Sequence, residues 1–116
     1  MDFGDDLHLF TLPQGDAVVC WSIDGRVAVK GKLYSDNSGE PQVATGEIRF
    51  RRTNGNVTET TRYDLASQGG PVSSEEVEKV SPVGSFKEVR IRLKVFYPDN
   101  DLGPLAKTLA TRTFKR

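Results

Sequence analysis

Residues 86–97 read Phe-Lys-Glu-Val-Arg-Ile-Arg-Leu-Lys-Val-Phe-Tyr. Val89, Ile91, Leu93, Val95 and Tyr97 alternate strictly with Glu88, Arg90, Arg92, Lys94 and Phe96. A period of two predicts a β-strand with one face on a core and the other in water. A helix would scatter the same apolar residues around its circumference. The solvent face of this strand is a row of cations, so one stretch sets the fold class and supplies the first candidate surface.

The same reading extends along the chain. Leu7–Leu12 predicts a first strand, ended by Pro13, and Ala17–Ile23 a second, apolar on both faces and hence central. Asp24-Gly25 is a hairpin signal because both residues tolerate positive φ. Arg26–Tyr34 predicts a third strand with Val27, Val29 and Leu33 inward and Lys30 and Lys32 outward. Gly31 on its inward face marks a bulge or a close contact. Val43–Arg52 predicts a fourth, with Ala44, Gly46, Ile48 and Phe50 opposite Thr45, Glu47, Arg49 and Arg51. Asn54-Gly55 then turns the chain into a threonine-rich stretch, Asn56–Tyr63, with the profile of an edge strand. Residues 64–73 read as loop. Residues 74–80 are two-sided: Ser73 with Glu76 resembles a helix capping box, yet an edge strand fits as well. Lys107–Lys115 closes the sheet.

Seven or eight short strands with turns about every ten residues predict an all-β, antiparallel β-sandwich of immunoglobulin-like or Greek-key type. A small β-barrel is the alternative. The Cys…Trp…Cys spacing of true immunoglobulin domains is absent, so the likeness is architectural and carries no function. At 116 residues the chain is expected to be a single domain, 1–116, with the order of residues 1–6 left open.

Composition narrows function mainly by exclusion. The chain is 36% hydrophobic and 28% charged, as suits a soluble globular domain. Sixteen basic residues balance sixteen acidic ones, so bulk charge draws the chain to neither nucleic acid nor membrane. No apolar run is long enough to span a bilayer. The one cysteine, Cys20, allows no internal disulfide and reads as a buried, inert thiol. With the acidic start Met1–Asp6, it favours a cytoplasmic compartment; a mature secreted form is the alternative. The motifs of nucleotide-binding loops, serine hydrolases and zinc proteases are missing. Any Cys-His or Ser-His arrangement would have to use the single histidine, His8. The chain is therefore expected to be non-catalytic and to need no cofactor.

Two constellations rise above that background. If strands 26–34, 43–52 and 86–97 share a sheet, its outer face carries Lys30, Lys32, Arg49, Arg51, Arg90, Arg92 and Lys94, with Tyr34 and Phe96 in phase. Such a face suits a protein partner, with a polyanion as the alternative. Nucleic acid is disfavoured because so few aromatics are interleaved for stacking. The bland account is that long cations cover a sheet face with their aliphatic stems, and that Glu47 and Glu88 pair with some of them. The second constellation is acidic. Counting reversals brings loops 35–42, 64–73 and 98–106 to one end, with Asp36, Asp99 and Asp101 as candidate calcium ligands. Asp and Asn are also ordinary turn residues. A further alternative is a structural subunit in which edge strand 56–63 pairs with a neighbour.

Overall fold

The computed structural model describes residues 6–12, 15–34, 41–68, 74–98 and 103–116. Eight strands run through them: β1 (Asp6–Leu12), β2 (Gly15–Trp21), β3 (Val27–Tyr34), β4 (Pro41–Arg52), β5 (Thr61–Gln68), β6 (Ser74–Val80), β7 (Phe86–Tyr97) and β8 (Leu105–Lys115). They form two antiparallel four-stranded sheets, ordered β1-β2-β3-β6 and β5-β4-β7-β8. The sheets pack face to face as a β-sandwich and do not close into a barrel. No helix among the described residues is long and apolar enough to cross a membrane.

Alternation decides what lies between the sheets. β2 and β3 send in Ala17, Val19, Trp21, Val27, Val29 and Leu33; β4 and β7 send in Ala44, Ile48, Phe50, Val89, Ile91 and Leu93. Trp21 is 1% exposed, and its indole Nε1 donates to the Phe86 carbonyl at 3.0 Å. That bond crosses from one sheet to the other and satisfies a polar atom in an apolar setting. Phe86 meets Phe50 edge to face, centroids 5.8 Å apart, beneath the guanidinium of Arg52 at 4.7 Å.

Both sequence-predicted turns share one geometry. Ser22 N donates to Arg26 O and Gly25 N to Ser22 O; Arg52 N donates to Asn56 O and Gly55 N to Arg52 O. Gly25 and Gly55 sit at φ 92° and 95°, the left-handed region that a three-residue hairpin loop requires. These turns and the 81–85 connection are bonded together at one end: Phe86 N donates to Gly25 O, and Thr53 N to Ser85 O.

Four expectations change. Residues 74–80 are a strand: β6 has little apolar face of its own but pairs Glu76 and Glu78 with Lys32 and Lys30 of β3. The fifth strand is 61–68 and not 56–63. Beyond one bridge at Val57 the pairing is interrupted, then resumes with Tyr63 and Leu65 packed on the core. Ile23 is a turn residue, 94% exposed, and not part of the second strand. Most consequentially, β3 is not in the sheet of β4 and β7.

Candidate recognition site

That topology divides the expected basic surface in two. Lys30, Lys32 and Tyr34 lie on the outer face of the β1-β2-β3-β6 sheet. There Lys30 faces Glu78 at 4.0 Å, an exposed pair of little energetic weight. Lys32 stands between Asp16 and Glu76 in the register. Tyr34 donates its hydroxyl to Asp16 Oδ2 at 2.8 Å, and that bond raises the phenol pKa above its ordinary value. The two aromatics therefore do not form one contact point, because Phe96 is on the other sheet.

Arg49, Arg51, Arg90, Arg92 and Lys94 do share a face. β4 and β7 pair antiparallel, with Thr45 opposite Lys94, Glu47 opposite Arg92, Arg49 opposite Arg90, and Arg51 opposite Glu88. The outer strands widen the array. β5 brings Arg62 beside Glu47 and Asp64 beside Thr45, while β8 brings Lys115 beside Glu88. Arg62 and Asp64 were hidden in a segment read half as weak strand and half as loop. Their signal was present as the alternation of Thr61, Tyr63 and Leu65 with Arg62 and Asp64.

The carboxylates are already committed. Glu47 Oε1 forms an ion pair with Lys94 Nζ at 2.8 Å, and Lys94 holds its carboxyl below the usual range against the opposing effect of burial. Glu88 accepts from Arg51 Nε at 3.0 Å and lies 3.9 Å from Arg49. Burial tends to raise the Asp64 carboxyl. The Thr45 hydroxyl at 2.7 Å and Arg62 Nε at 3.0 Å outweigh it, and the pKa is lowered. Arg90 and Arg92 have no ion pair among the described residues. Burial depresses the Arg90 guanidinium, with the fields of Arg49 and Arg92 adding to it. Like charges directly opposite on a sheet are unfavourable. The centre of the face is thus a cluster of three arginines with a partial shortage of anions, on the two interior strands of the sheet.

Phe96 continues this face toward its far end, 38% exposed and opposite Val43 and Ala106. Asp36, Asp99 and Asp101, the expected calcium ligands, lie outside the described residues. Among the described residues no group of three His, Cys, Asp or Glu could hold a metal ion. His8 is opposite Val19 in the β1–β2 register, and Cys20 of β2 is half-buried.

Comparison with protein families, with curated proteins and with solved structures finds no match to this chain.

Proposed function

We propose that this chain is a non-catalytic recognition module that binds an acidic surface of a protein partner through the outer face of β4 and β7. The observation carrying this reading is the Arg49–Arg90–Arg92 cluster, in which Arg90 and Arg92 have no ion pair among the described residues while the two nearby carboxylates already serve Arg49, Arg51 and Lys94. Strands of a packed sheet hold these guanidiniums at fixed spacing, and arginine forms bidentate bonds to carboxylates. Incoming anions would relieve the repulsion across the Arg49–Arg90 pair, so binding gains from a cost present in the free protein. Phe96 would supply an apolar anchor beside the charged centre.

The strand order supports the immunoglobulin-like reading of the fold. In that fold the B and E strands are neighbours in one sheet and C, F and G in the other. β3 and β6 stand in the first relation and β4, β7 and β8 in the second. This is an argument about architecture and does not select the partner.

The test is retention of a partner by immobilised protein from its native host. R90E/R92E is expected to lose the partner, while K30E/K32E, with the opposite sheet reversed, keeps it. R90Q/R92Q, which removes charge without adding repulsion to Glu47, is expected to weaken the purified interaction about tenfold or more. A partner held equally well by wild type and both arginine variants overturns the assignment. Adding a sulfated polyanion separates the alternative, because competition alone is expected of a protein interface and direct saturable binding of a polyanion site.

A further inference from the structure

The pairing of β4 with β7 slips once. Arg51 lies opposite Glu88 but Arg52 opposite Phe86, so Lys87 is an extra residue with no counterpart on β4. Counting back by twos from the inward Val89 would send Lys87 into the core and Phe86 outward. The slip reverses both: Phe86 is 0% exposed and Lys87 is exposed. Re-aiming a side chain is a recurrent use of a β-bulge. The residue after β8 holds this one in place, since Arg116 N donates to the Lys87 carbonyl at 3.1 Å.

The re-aimed lysine completes a cationic hollow. Arg51, Lys87, Glu88 and Lys115 line an open depression of about 380 Å³ at the turn end of the arginine face. Three cations stand there against one carboxylate, and that carboxylate is shared by Arg51 at 3.0 Å and Arg49 at 3.9 Å. Lys87 and Lys115 are exposed and have no ion pair among the described residues. Arg51 is held by its Nε to Glu88 and by its Nη1 to the Gly55 carbonyl, both at 3.0 Å. The hollow beside Phe96, at the other end of the face, has no such surplus: Lys94 is paired with Glu47, and Arg62 with Asp64.

A surplus of two positive charges matches a dianion. A phosphate monoester is close to doubly charged at neutral pH and offers three acceptor oxygens. Arginine meets it with a planar fork and lysine with a point charge. A carboxylate brings one charge and leaves half the surplus unmet.

We propose that this hollow is a subsite for a phosphorylated side chain of the protein partner, its phosphate received by Arg51, Lys87 and Lys115. This rests on the arginine-face reading above and deepens it. Arg90 lies two residues along β7 from Glu88, about 7 Å, so an acidic residue close in sequence to the phosphorylated one reaches the arginine cluster. Affinity then depends on the phosphorylation state of the partner.

The probe is a fluorescein-labelled acidic peptide with a central phosphoserine between glutamates, titrated against the full chain by anisotropy beside the same peptide with unmodified serine. The phosphopeptide is expected to bind about tenfold more tightly or better. K87Q/K115Q, with an unchanged melting temperature, is expected to remove that preference with little change for the serine peptide, whereas R90Q/R92Q weakens both. Equal affinity for the two peptides overturns the subsite while leaving the arginine face standing. A preference that survives K87Q/K115Q overturns its placement in the hollow. Displacement of the phosphopeptide by an equimolar amount of inorganic phosphate overturns the assignment to a partner's side chain, because a free anion then suffices. Failure of both peptides to bind up to millimolar concentration overturns the proposal outright; the arginine face then stands or falls on its own charge-reversal experiment.

Discussion

Trp21→Ala is expected to cost about 3–5 kcal/mol of folding free energy. The side chain is 1% exposed between the sheets, so truncation leaves a cavity bordered by residues of both. It also removes the indole that donates to Phe86 O at 3.0 Å, leaving that carbonyl without this partner. Trp21→Phe separates the two effects. It retains most of the apolar volume and loses the donor, so about 1–3 kcal/mol is expected from the unmet carbonyl, plus a smaller packing loss. Urea denaturation checks both, with the midpoint falling and the slope unchanged. A Trp21→Ala loss below about 1 kcal/mol would mean that the sheets do not close over this residue as described.

Gly31→Ala is expected to be nearly as damaging, for a different reason. A Cβ at residue 31 would overlap the Asp16 carbonyl oxygen and crowd Ala17 Cα, both backbone atoms of β2. Backbone cannot rotate away as a side chain can, so β2 and β3 must separate locally. Overpacking of this kind costs about 1–3 kcal/mol, and more where the obstacle is rigid. Two other glycines provide the comparison. A Cβ at Gly46 meets Leu33 Cδ1 at 2.9 Å, the end of a flexible chain, and is expected to be tolerated better. Gly55 has nothing within 4 Å but sits at φ 95°, so its alanine variant reports conformational strain alone, about 1 kcal/mol. The expected order of loss in thermal melts is Gly31→Ala greatest. Equal losses at positions 31 and 46 would contradict the close approach of β2 to β3.

The strands that were legible from sequence are those with one wet face. β4 and β7 alternate so regularly that their outward-facing cations are assigned by sequence alone. β6 was ambiguous because its glutamates find partners on β3 and not in its own pattern. Phe86 was hidden by a register shift: Arg51 pairs with Glu88 but Arg52 with Phe86. That step places Phe86 in the core with Lys87 exposed, out of phase with Val89. Which sheet a strand joins was least legible. β3 and β4 have the same alternating pattern and adjoin in sequence, yet they pair with β6 and β7 respectively. Local periodicity reports a strand's faces, while its partners depend on contacts far along the chain. The expected surface of seven cations is therefore a smaller one of five, joined by Arg62 of β5 and Lys115 of β8.

The most direct test of the recognition face is hydrogen–deuterium exchange of the chain with and without the partner retained in the charge-reversal experiment. New protection is expected along β4 and β7, centred on Arg49–Arg51 and Arg90–Lys94, with β3 and β6 unchanged. Protection confined to β3 and β6, or to the turn end around Ile23, Asn54 and Val83, would contradict the account.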